Sequence, residues 1–150
     1  MPRFGRAAVL AAAFVALLSF ADAARADVVV TVDKATQRMS VVVDGEHRYS
    51  WPVSTGLAGT PSGSFQPYTL SRYHRSRIFA NAPMPYAIFY SGHYAIHGTT
   101  AVAQLGARAS KGCVRLHPSN AAVLFALVQK IGPANTRILV QDSVTRVAQR

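Results

Sequence analysis

Between Val28 and Val53 the chain repeats one pattern, a short run with apolar residues at alternate positions, then a break, then another run. VVVTVD (28–33) is the first such run, and RMSVVVDGEHRYSWPVS contains two more around Asp44–Gly45. A period of two places alternate side chains on one face of a strand, and Asp–Gly tolerates the positive φ angles of a two-residue hairpin. Met39, Val41 and Val43 then share one face before the turn, and Tyr49, Trp51 and Val53 share one after it. Three strands are fixed in sequence order before any other property is considered.

The remainder continues in the same mode. STGLAGTPSG (54–63) has the glycine, proline and hydroxyl content of a loop, and SFQPYTL resumes in extended form. YAIFYSGHYAIHG is expected to form a second hairpin turning near Ser91–Gly92. Alternation would put His93, Ala95 and His97 on one face of its return strand. PSNAAVLFALVQKIG (118–132) is the one strong helix. Its Val123, Leu124, Leu127, Val128 and Ile131 recur at three- and four-residue spacing, and Gly132–Pro133 stops it. NTRILV (135–140) closes the chain as a strand. Short strands, one helix and no βαβ rhythm define a mainly β domain.

The first 26 residues have a different character. Arg3 and Arg6 precede a 15-residue apolar run from Ala7 to Ala21, and ARA at 24–26 offers small residues at a cleavage site. The run is shorter than the roughly 18–20 residues that span a bilayer, and it has the layout of a secretory signal peptide. The expected organisation is a signal peptide over 1–26 and one domain over 27–150. No stable membrane span is expected after cleavage, and the periplasm or cell wall is the expected location. Residues 27–150 hold 13 Lys and Arg against 5 Asp and Glu. Such a charge favours anionic surroundings. Export and the absence of any nucleic-acid-binding pattern argue against nucleic acid as the partner.

An exported chain with one cysteine forms no internal disulfide. Cys113, in GARASKGCVRLHP, is therefore a buried small hydrophobe, an intermolecular partner or a reactive thiol. Reactivity needs a thiolate or a base that makes one. Lys111, Arg115 and His117 lie within four residues, and no acid occurs between Glu46 and Asp142. If 113–117 is extended, Cys113 and Arg115 face the same way while Val114 and Leu116 enter the core. Gly112 would leave the backbone beside the thiol uncovered and an N–H available to an oxyanion. His117, ahead of a proline at a helix start, is expected to be structural. His97 ends a strand before the small polar segment GTT. It is either a satisfied structural histidine or a base that the fold carries to the thiol.

Taken together, MPYAIFYSGHYAIHGT, SKGCVRL and the upstream STGLAGTPSGSF resemble the L,D-transpeptidase catalytic domain, also called YkuD-like, from about Val28 to Val140. The resemblance implies a compact β-sandwich-like fold with short helical insertions. It also implies a cysteine-dependent enzyme of peptidoglycan. In such enzymes the thiol attacks the tetrapeptide stem after the L-centre of its third residue and releases the terminal D-amino acid. The acyl group then passes to an amine, on a second stem peptide or an outer-membrane protein. Carried onto this chain, the resemblance makes Cys113 the nucleophile and His97 the general base, oriented by the Gly98 carbonyl. Gly112 and Cys113 N–H groups would serve the oxyanion, with Ser110 and Arg115 in support. Met84 and Tyr86 would border the substrate cleft. Lys111 stands where many members have histidine, which places the base role on His97 alone and leaves the local field on the thiol open.

Three other readings are weighed against this one. Water as acceptor would make the same site an L,D-carboxypeptidase. A non-catalytic wall-binding module would have no use for the thiol. A zinc site would draw on His93, His97, His117 and Cys113. On a strand, however, His93 and His97 lie about 13 Å apart, too far to share one ion. Neither a metal nor another cofactor is expected.

Overall fold

The computed structural model describes residues 27–143, so the proposed leader over 1–26 lies outside the described residues. Nine strands and one α-helix follow one another. They are β1 (Val28–Asp33), β2 (Arg38–Val43), β3 (Glu46–Pro52), β4 (Gly63–Phe65), β5 (Thr69–Arg75), β6 (Pro83–Ser91), β7 (Tyr94–Gly98), β8 (Val114–Leu116), α1 (Pro118–Ile131) and β9 (Thr136–Gln141). Short 3-10 turns at Val102–Gln104 and Pro133–Asn135 are the helical insertions.

Two sheets form, ordered β3-β2-β1-β9-β4 and β5-β6-β7-β8. Asp44 and Gly45 both have positive φ and form the two-residue turn between Val43 and Glu46. Two pairings are parallel, β1 with β9 and β7 with β8. The loop after β3 is not free, because Ser54 bridges to Arg115 and Gly56 to Ser110 along the outer edge of β8.

The alternation read from the sequence decides what is buried. Val28, Val30 and Val32 from β1, and Met39 and Val41 from β2, are fully enclosed. They join Ile88, Ile96, Val114 and Leu116 from the second sheet, and Leu124, Phe125 and Val128 from α1, in one core. The helix begins at Pro118 with His117 as its N-cap, whose side chain accepts from the Ser119 N–H. Its buried face is Ala121, Leu124, Phe125 and Val128. Val123, expected in the apolar face, is exposed instead. Phe125 and Ala121 take that side because α1 lies across β6 and β7.

The second sheet has two apolar faces. One meets the core, and the other carries a smaller cluster of Met84, Ala87 and Ala95, with Phe89 and Cys113 against it. Met84 and Cys113 of that cluster also line the cleft described below.

Candidate active site

β7 carries His97 and the segment entering β8 carries Cys113. In the parallel register Ile96 pairs with Val114, His97 with Arg115 and Gly98 with Leu116. Cys113 therefore comes alongside Ala95, one step before the paired segment and on the face that His97 shares. Val114 and Leu116 turn into the core, as the alternation required. His97, Cys113 and Arg115 all line one cleft of about 560 Å³. Ile78 and Phe79 from the turn between β5 and β6, with Pro83 and Met84 from the start of β6, are among its lining residues. Thr99, Thr100 and Lys111 also line it, and no acidic side chain is among the lining residues.

The histidine is oriented by backbone. His97 Nδ1 lies 2.7 Å from the Gly98 carbonyl oxygen. A carbonyl only accepts, so Nδ1 carries the hydrogen and the lone pair is on Nε2. The ring is almost fully buried, and this burial lowers its pKa from 6.5 to about 4. The Gly98 hydrogen bond opposes the shift, and Arg115 and His74 add to it. Burial likewise pushes the Cys113 thiol up, against the pull of the Ala95 N–H and the Arg115 charge. The Sγ lies 3.9 Å from the His93 carbonyl oxygen. At neutral pH the pair is thus a thiol and a neutral imidazole, suited to proton transfer during attack rather than to a standing ion pair.

The peptide carrying the thiol is held from several directions. Ser110 Oγ donates to the Cys113 carbonyl at 2.6 Å and accepts from the Gly112 N–H at 3.1 Å. Thr60 Oγ1 donates to the Gly112 carbonyl at 2.8 Å and accepts from the Gly56 N–H at 2.9 Å. Gly56 and Gly112 meet backbone to backbone. A Cβ on Gly56 would stand 2.8 Å from the Gly112 Cα and 2.2 Å from the Gly59 carbonyl oxygen.

Two expectations are corrected here. Gly112 is not uncovered, since the Tyr94 ring lies where a Cβ would go, 2.5 Å away, and its N–H is engaged by Ser110. Tyr86 does not border the cleft. Its φ of 55° lies in the left-handed region and interrupts the alternation of β6. Met84 and Ala87 consequently share the cleft-side cluster, while the Tyr86 ring packs on Phe125 with the Arg72 guanidinium 5.8 Å from its centroid. Met84 is among the residues lining the cleft. His117 is the helix cap, and among the described residues no group of His, Cys, Asp and Glu is placed to hold a metal ion. Lys111 places its ammonium 4.5 Å from the centre of the Phe79 ring, another residue lining the cleft. The sequence reading passed over Thr60, Gly56, Tyr94 and Phe79. The hydroxyls and glycines of STGLAGT were the available signal for the first two.

A two-sheet β domain thus brings the single cysteine and a backbone-oriented histidine to one cleft. The sequence matches the L,D-transpeptidase catalytic domain, YkuD, over residues 27–144, and the chain belongs to that family. YqjB of Bacillus subtilis, a chain classed with the L,D-transpeptidases, is 29% identical over 135 residues, covering 77% of this chain and 72% of its own. Among solved structures, the L,D-transpeptidase from Mycobacterium smegmatis superposes with a TM-score of 0.67 at 25% identity, covering 77% of this chain and 58% of that one. The L,D-transpeptidase (Yku) from Stackebrandtia nassauensis gives 0.68 at 25% identity, covering 86% and 63%. The chain thus spans less than two thirds of the length of these solved proteins.

Proposed function

We propose that this protein is an exported peptidoglycan L,D-transpeptidase that works through a thioester on Cys113. The observation that carries this reading is the shared cleft, in which the sole cysteine and a buried histidine with a free Nε2 lie beside two cations and no acid. An electron-rich peptide terminus suits such a cleft.

In the proposed reaction the His97 Nε2 takes the thiol proton as Sγ attacks the carbonyl after the L-centre of the third stem residue. The oxyanion accepts from the Cys113 N–H, the member of the expected donor pair that Ser110 does not engage. Collapse breaks the amide C–N bond, and the imidazolium returns its proton to the departing D-amino acid. A second amine then attacks the thioester, loses its proton through His97 and releases the thiol. Family membership and the acid-free cleft support the stem peptide as donor. The amine acceptor in this reading is a second stem peptide or an outer-membrane protein, and the signal-peptide layout of residues 1–26 supports the periplasm or cell wall as the location.

Incubation with a disaccharide-tetrapeptide, followed by intact-protein and product mass analysis, tests the reading. A tripeptide acyl adduct on wild type, absent from Cys113→Ala, is expected together with cross-linked dimers. Tripeptide without dimers would replace transfer by hydrolysis. Absence of any adduct would remove the enzymatic reading.

A further inference from the structure

We infer that Thr60 is a positioning residue that aims the Cys113 N–H, an inference resting on the acyl-transfer reading above. Gly112 has a φ of 135°, and glycine offers little intrinsic resistance to rotation of the peptide that follows it. A hydrogen bond from outside the segment can therefore set that peptide. The Thr60 hydroxyl does so by donating to the Gly112 carbonyl at 2.8 Å. Across a planar trans peptide the carbonyl and the next N–H point in opposite directions. Anchoring the Gly112 oxygen on Thr60 thus directs the Cys113 N–H away from it.

The surrounding hydrogen bonds leave no ambiguity in that anchor. Thr60 accepts the Gly56 N–H, so its own proton goes to Gly112. Ser110 is occupied in the same way by Gly112 and Cys113, and does not compete for the Gly112 oxygen. Thr60 is itself enclosed, and its carbonyl accepts from Lys34 Nζ at 2.7 Å. Lys34 pairs in turn with Asp142 at 2.9 Å. The nucleophile's peptide is referenced through Thr60 to the ends of β1 and β9 in the other sheet, a connection separate from its own strand β8.

Thr60→Val removes the hydroxyl at nearly constant shape, and Thr60→Ser keeps it. Acylation by a tetrapeptide donor is followed alongside alkylation by iodoacetamide, which forms no oxyanion. Acylation by Thr60→Val should fall roughly 10- to 100-fold with donor affinity unchanged. Alkylation and its pH profile should stay within about twofold of wild type. Thr60→Ser should recover acylation to within about threefold. Equal losses of acylation and alkylation, or undiminished acylation by Thr60→Val, would overturn the inference. The Cys113 amide signal and its hydrogen-exchange rate provide a readout that needs no activity. They should change in Thr60→Val and not in Thr60→Ser, and an unmoved signal overturns the inference even if wild type forms no adduct. That last result, missing wild-type adduct, would count against the acyl-transfer reading alone. Should Thr60→Val not fold, Thr60→Ala, with room for a water beside the Gly56 N–H, takes its place in both measurements.

Discussion

Arg115 and His97 are direct neighbours across the parallel pairing of β7 and β8. After burial, the guanidinium is a further cause holding the imidazole neutral, and it also draws the thiol pKa down. One cation thereby biases both partners of the proposed proton transfer, in the same downward direction.

Replacing that cation should move both groups together. Wild-type acylation should lose activity only as pH falls toward about 4, where His97 becomes protonated. In Arg115→Met the acid limb should rise toward, but not reach, 6.5, because burial remains the larger cause. Alkylation at neutral pH should slow severalfold as the thiol pKa climbs. Acylation and alkylation profiles from pH 3.5 to 9 check both statements, and an unmoved acid limb would contradict them.

Burial of a neutral imidazole also ties stability to pH. Folded His97 stays unprotonated down to about 4, whereas the unfolded chain takes up the proton below 6.5. The unfolded state binds more protons in that window, so stability falls as pH falls from 6.5 to 4. The loss amounts to about 3 kcal/mol. His97→Gln should remove most of this dependence and abolish acylation. Urea titrations at pH 7, 5.5 and 4 measure the difference in slope.

The meeting of two glycine backbones gives a sharper structural prediction. A methyl at Gly56 would collide with the Gly59 carbonyl and the Gly112 Cα, neither of which is a flexible side chain. Gly56→Ala should destabilise by about 3 kcal/mol and cut acylation more than about tenfold. Gly45→Ala meets nothing within 4 Å and suffers only from its φ of 82°. It should lose about 1 kcal/mol and keep full acylation. Denaturation midpoints and adduct rates on the two variants separate damage at the site from general weakening.

Lys111 provides a contrast to Arg115. Its ammonium sits over Phe79, and the thiol shift has Arg115, not Lys111, among its causes. Lys111→Met should leave the alkylation profile within about twofold of wild type. Loss of one of two cleft cations should raise the KM for a carboxylate-bearing donor about three- to tenfold. A shifted alkylation profile would show that the lysine acts on the sulfur after all.

Much of this fold was legible because its rules are local. Alternation from Val28 to Val43, the Asp44–Gly45 turn and the helix stop at Gly132 each follow from a few adjacent residues. The parallel pairings were not legible, since no turn sequence encodes the register of Ile96 with Val114 or of Val28 with Thr136. Tyr86 was misplaced because the resemblance carried Met84 and Tyr86 to the cleft together, whereas the left-handed φ of Tyr86 turns the two apart. Gly112 was misjudged for a related reason, as only the tertiary fold brings Tyr94 over it. At the site, residue chemistry alone left Cys113 among three roles and His97 between two. The family resemblance selected the pair, and the Thr60 anchor needed the assembled chain.

The same β7–β8 contact decides when Cys113 and His97 come to share a cleft. Its two strands are separated by the whole Thr99–Cys113 crossover, so no hairpin closing early can unite them. A nascent or half-refolded chain carries an ordinary thiol with no base beside it. Cys113 joins the His97 cleft only when the Thr99–Cys113 crossover has docked and β8 has paired with β7.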